Sequence, residues 1–189
     1  MVLLLFSFIY ILPINILYID IPFLAPLMSS QIFSAIFVLL CFLFVINGAN
    51  LIDGFNGLLA INLIIINIIL AYINLNNENL EFGILLISQI IILLSFLLFN
   101  FPSAKMFLGD SGAYLFGALT SLNTIITNNL DPTISSFFFC SLLFYLFFEV
   151  FFSFFRKIAQ KKSPIYPDDK HLHMLSFYKI SRIYGKNKG

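Results

Sequence analysis

Three short segments hold nearly all the residues of this 189-residue chain that could do chemistry. The first is Asn47-Gly48-Ala49-Asn50-Leu51-Ile52-Asp53-Gly54-Phe55-Asn56-Gly57-Leu58. Asn47, Asn50 and Asp53 recur every third residue, so on a helix they lie near one face. Gly54 and Gly57 leave the backbone beside them open to a ligand. The second segment, 100–112, contains Asn100, Lys105, Phe107 and Asp110. Pro102 and Gly109 break helical structure, and Asp110-Ser111-Gly112 then opens a new helix. A helix start presents unpaired N–H groups and the positive end of a dipole, which hold anions. A carboxylate beside such an end suits Mg²⁺, which takes one or two carboxylates together with substrate phosphate oxygens. Lys105 could neutralise the same phosphates. Taken alone, these residues also suit plainer work, with Asp110 as a helix cap and Lys105 as a membrane-face anchor. The third segment, 167–175, holds His171 and His173, the chain's two histidines, preceded by Asp168 and Asp169. A third zinc ligand for the His-x-His pair is not evident. Imidazoles there could instead contact a diphosphate or move a proton. One further acid, Glu149, lies among Phe residues and must find a partner, structural or in the site.

The elements that position these segments are written in the composition. Hydrophobic residues make up 60% of the chain and charged residues 10%, against about 25% in soluble domains; mean hydropathy is +1.00. The fold class expected is therefore all-α, a polytopic membrane bundle. A span needs about 20 mostly apolar residues, which places about six spans, at 1–19, 24–46, 58–74, 83–100, 112–130 and 134–155. The fifth is soft, because Asn123, Thr124 and Thr127 interrupt it. The expected organisation is a transmembrane bundle, 1–155, carrying motif loops at 47–57 and 100–112, followed by a basic tail, 156–189, with the histidines. Nine of the ten Lys and Arg residues lie after position 155, so the tail is expected to be cytoplasmic. Parity of the spans then brings all three segments to that same face. This arrangement disfavours a transporter, which needs a polar path reaching both sides. Cys41 and Cys140 fall in apolar runs and are expected as small core residues. Part of the tail, from Leu172 to Ile180, has the alternation of an interfacial segment.

The ordered set N-x-x-N-x-x-D-G-x-x-G-L, P-x-A-K-x-F-x-G-D-x-G and H-x-H resembles the polyprenyl-phosphate N-acetylhexosamine-1-phosphate transferases (glycosyltransferase family 4) over about residues 30–180. The O-antigen and teichoic acid initiating branch is the nearer one. The resemblance implies transfer of a sugar 1-phosphate from a UDP-N-acetylhexosamine to undecaprenyl phosphate, with release of UMP. It implies Mg²⁺ as cofactor, with Mn²⁺ as a substitute, and a bacterial inner membrane; no nucleic-acid partner is expected. It makes Asp110 the metal-binding acid and Asp53 the acid of the middle motif. Asn50 and Asn56 fall in the nucleotide-sugar site, with Asn100 at its edge. Phe107 is the aromatic that stacks on uracil, Lys105 the motif lysine, and His171 and His173 the histidine loop near the diphosphate. Three departures stand out. Asn56 replaces a second Asp, which keeps hydrogen bonding but loses charge. Met174 stands where a third histidine is common. Nothing matches the family's upstream Asp-Asp pair, since Asp20 is single and falls on the opposite face by parity. The chain is therefore expected to be truncated at its N-terminus, with a missing segment or a second copy as partner. Alone, it is expected to be weakly active or inactive. The alternative is a non-catalytic relic of the fold that binds lipid or nucleotide-sugar.

Overall fold

The computed structural model describes residues 14–103, 105–161 and 171–184, and among these every regular element is a helix. In chain order they are α1 (Ala25–Met28), α2 (Gln31–Ile52), α3 (Leu58–Asn76), α4 (Leu80–Asn100), α5 (Gly109–Leu130), α6 (Ser136–Leu142), α7 (Phe144–Ala159) and α8 (Leu172–Tyr184). Helices α3 and α4 form a hairpin, α2 packs against both α5 and α7, and α5 also contacts α3.

The expected helical bundle is present, and the count of six spans is not confirmed among the described residues. Among the described residues, α2, α3 and α4 are long and apolar enough to cross a membrane. The pair α6 and α7 would make a fourth span, bent by 65°. Residues 1–13 of the expected first span lie outside the described residues, and 14–19 are not helical. There the backbone is served by α5: the Asn128 and Asn129 side chains donate to the carbonyls of Tyr18 and Asn15, and Leu17 N–H donates to Asn129 Oδ1. The fifth stretch is a 22-residue helix, long enough at about 1.5 Å per residue to match a hydrocarbon core. Its polar residues explain its softness in the sequence, because they face inward. Asn123 donates to Gln89 Oε1 of α4 at 2.8 Å and Asn74 of α3 donates to Thr127 Oγ1 at 2.9 Å, with all four residues buried. Inside hydrocarbon, polar groups must find partners within the protein, and here they tie three helices together.

The limits of the motif segments shift in the same way. Residues 47–52 are not loop but the last turns of α2. Asn47 donates back to Leu43 O at 2.6 Å, which keeps its amide satisfied inside the helix. Gly48 lets α7 come close: a Cβ there would sit 2.5 Å from the backbone oxygen of Leu146. Gly117 of α5 does the same against α2, where a Cβ would meet Ile46 Cα at 2.9 Å. Residues 109–112 likewise belong to α5. Cys140, expected in the core, is exposed on α6, while Cys41 is half-buried.

Because Leu146 meets Gly48 through backbone, relief requires the helices to part. Gly48→Val is expected to destabilise the chain by about 1–3 kcal/mol, read as a lower unfolding temperature in detergent. Gly54→Ala, where a Cβ meets nothing within 4 Å, is the control and should leave that temperature unchanged.

Candidate functional site

One end of the bundle collects the α2–α3 connection, the α4–α5 connection and the start of α8. Asp53 closes α2, and its Oδ2 accepts from the Gly109 N–H, the first of α5, at 2.9 Å. The N-terminal residue of that helix is capped by no side chain of its own, since Leu108 occupies the position. Asp53 therefore does from another segment what a local cap would do. Asp110 is not a cap; it lies exposed in the first turn of α5. Gly109 enters the helix at φ +65° and Gly57 ends the α2–α3 turn at φ +74°, a left-handed backbone that favours glycine.

Asn100, the buried last residue of α4, holds both connections at once. Its Oδ1 accepts from Gly57 N–H and its Nδ2 donates to Met106 O. Asn56 Nδ2 adds a bond to Pro102 O at 2.7 Å. Lys105 donates its backbone N–H to Phe99 O at 3.0 Å, and its side chain is exposed, as is Phe107. Asn50 is brought near the same helix start, with its Nδ2 3.5 Å from the hydroxyl of Tyr114, one turn beyond Asp110.

The histidines arrive from the far end of the sequence. Glu149 of α7 has no exposed surface. Its Oε1 accepts from Leu172 N–H at 2.9 Å and lies 3.1 Å from His173 Nδ1 and 3.8 Å from His171 Nδ1. The His173 ring also meets Phe55 edge-on, with centroids 6.1 Å apart, and Phe55 packs on Phe177 of α8 at 5.4 Å. Thus the partner that Glu149 requires is the histidine segment. Phe55 and Tyr114, which were not singled out in the sequence, prove to join the segments; the glycines flanking Phe55 were the available signal for an aromatic placed on an open turn. Asp168 and Asp169 lie outside the described residues.

Among the described residues no group of three or more His, Cys, Asp and Glu side chains is placed to hold a metal. What is present is a pair of acids, Asp53 and Asp110, close enough to interact. Burial, opposed by the Gly109 bond and reinforced by the charge of Asp110, pushes Asp53 up to about 6. Such a site suits a cation that shares its remaining ligands with substrate phosphates. The folded state therefore holds the Asp53 proton more tightly than the unfolded chain, whose carboxyl titrates near 3.9. Folding stability then falls as pH rises from about 4 to about 6, and the deficit persists at neutral pH. Asp53→Asn keeps an acceptor for Gly109 and removes the charge. It is expected to raise the unfolding temperature in metal-free detergent at about pH 7.5, with the gain shrinking toward about pH 4. A gain equal at both pH values would contradict this assignment.

Comparison with known proteins places the chain in a family. The family described as glycosyl transferase family 4 matches residues 1–128. The undecaprenyl-phosphate alpha-N-acetylglucosaminyl 1-phosphate transferase of Thermotoga maritima is 32% identical over 148 residues, 78% of this chain and 44% of that protein. The phospho-N-acetylmuramoyl-pentapeptide-transferase of Leuconostoc mesenteroides is 36% identical over 110 residues, 58% of this chain and 34% of that protein. A putative UDP-N-acetylglucosamine–dolichyl-phosphate N-acetylglucosaminephosphotransferase of Saccharolobus solfataricus is 36% identical over 103 residues, 53% of this chain and 32% of that protein. No solved structure gives a significant match. The chain spans less than half the length of these relatives. With the family matching well over half of its residues, this multi-pass membrane chain belongs to glycosyl transferase family 4.

Proposed function

We propose that the protein transfers N-acetylhexosamine 1-phosphate from a UDP-sugar to undecaprenyl phosphate, releasing UMP and starting a cell-surface glycan of the O-antigen or teichoic acid kind. The setting is a bacterial plasma membrane, with the site on the cytoplasmic face. One observation carries the reading: two acids, a helix N-terminus and a histidine segment converge at one end of an apolar bundle. That is where a lipid headgroup and a soluble nucleotide-sugar can meet. The likeness to transferases named for undecaprenyl and dolichyl phosphate supports a polyprenyl phosphate as acceptor.

Phosphoryl transfer is catalysed mainly by positioning and charge neutralisation. An oxygen of the lipid phosphate forms a bond to the β-phosphorus of the UDP-sugar. The bond from that phosphorus to the bridging oxygen breaks, and UMP leaves with that oxygen. In this reading Asp110 holds Mg²⁺, or Mn²⁺ in its place, with Asp53 beside it. When bound, the ion supplies charge neutralisation and polarises the phosphoryl oxygens. The chain's own groups do the rest. Lys105 and the first amides of α5 face phosphate charge, and Phe107 offers its exposed ring to uracil. Asn50, Asn56 and Asn100 shape the nucleotide-sugar side, and His171 and His173 contact the diphosphate.

A second reading, a non-catalytic relic that binds lipid or nucleotide-sugar, is favoured by Asn56. Its amide donates to a backbone carbonyl, a contact an ionised Asp could not make. The test is transfer of radiolabelled sugar from UDP-N-acetylhexosamines to undecaprenyl phosphate in membranes with Mg²⁺. The proposal predicts lipid-linked sugar, lowered about 10²-fold or more by Asp110→Ala. Absence of product, with UDP-sugar still raising the unfolding temperature, would favour the relic or a fragment of the enzyme, and restoring an upstream coding region separates the two.

A further inference from the structure

The polar contacts that dock the histidine segment converge on one buried group. Glu149 has no surface of its own, and its Oε2 has no hydrogen-bond partner among the described residues. Its Oε1 carries the contacts to Leu172 and His173. A buried carboxylate is costly unless hydrogen-bonded, so these donors stabilise it and it in turn holds them. The direction of the histidine contact is assigned from geometry. Glu149 Oε1 already serves as an acceptor for Leu172 N–H, and as an acceptor for His173 as well it calls for the hydrogen on Nδ1, which leaves Nε2 the bare nitrogen of the neutral ring. The His173 side chain is 7% exposed, and Phe55, from the turn that begins at Asp53, meets the ring. The imidazole is thus held between a carboxylate on α7 and an aromatic on the middle motif.

We propose that Glu149 is a positioning residue. Through the Nδ1 contact it fixes the orientation and tautomer of His173, so that Nε2 is the nitrogen offered to the sugar diphosphate. The last clause rests on the function proposed above; the tautomer does not. The logic is that of a carboxylate orienting a histidine whose other nitrogen does the work. Glu149 acts through the histidine segment, and it lies 24 residues before His173 in sequence.

The test reads the tautomer directly. The chain has two histidines, so ¹⁵N-histidine labelling of the full chain, purified without a histidine tag, gives two sets of ring resonances. His171→Asn assigns them. At about pH 9, where imidazoles are ordinarily neutral, the wild type should show a hydrogen on Nδ1 of His173 and a bare Nε2. Glu149→Gln keeps an acceptor of the same shape and should preserve that pattern. Glu149→Met keeps the volume without the acceptor and should move the hydrogen to Nε2, the form free histidine prefers. A wild-type His173 carrying its hydrogen on Nε2 would overturn the proposal, as would an unchanged tautomer in a folded Glu149→Met chain. If Glu149→Met fails to fold, the wild-type and Glu149→Gln spectra decide alone. The expected tautomer in a chain without transfer activity would support the positioning role and count against the reaction.

Discussion

A polar group placed in hydrocarbon, away from water, costs several kcal/mol unless another group of the protein answers it. This chain carries such groups along nearly every helix, and the pairs they form set its architecture. Glu149 is the extreme case: a fully buried carboxylate in a Phe-rich helix, answered by an amide and an imidazole from a segment that follows it in sequence. The same demand, at lower intensity, joins Asn123 to Gln89 and Asn74 to Thr127, and holds α3, α4 and α5 in register. Where α7 and α5 come close to α2, Gly48 and Gly117 remove the side chains that would keep them apart.

The site uses these constraints at one end of the bundle. Asp53 serves the start of α5, so the two motif connections cannot move independently. Asn100 and Asn56 add further ties between the same connections. The cost appears at Asp53, whose carboxyl is held up to about 6 by burial. In the function proposed above, a cation bound with the substrate phosphates would offset that cost. Lys105, Phe107 and Asp110, in the same connection and the helix start it leads into, are exposed.

Much of this was legible in the sequence. Composition gave the all-helical membrane class, and the spacing of polar segments gave their convergence at one end. Asp53, Asn56, Asn100, His173 and the α5 start do come together, as the motif order suggested. Two things were hidden. Segment limits slipped because Asn47 and Gly48 read as loop residues, whereas one satisfies its amide within the helix and the other admits a neighbouring backbone. The count of six spans is not confirmed among the described residues: the inward-facing polar stripe lowers the hydropathy of α5, the last stretch is bent between α6 and α7, and residues 1–13 of the first lie outside them. Glu149 was conspicuous as a buried acid, but its partner lies across a fold boundary that no local spacing reveals.

The central claim is that segments distant in sequence serve one ligand. A double-mutant cycle tests it without requiring turnover. Binding of a UDP-N-acetylhexosamine with Mg²⁺ would be measured by calorimetry for the wild type, Asp53→Asn, His173→Asn and the double variant. If the middle motif and the histidine segment serve one site, the two changes should couple by about 0.5 kcal/mol or more. Effects of both that simply add would contradict a shared site.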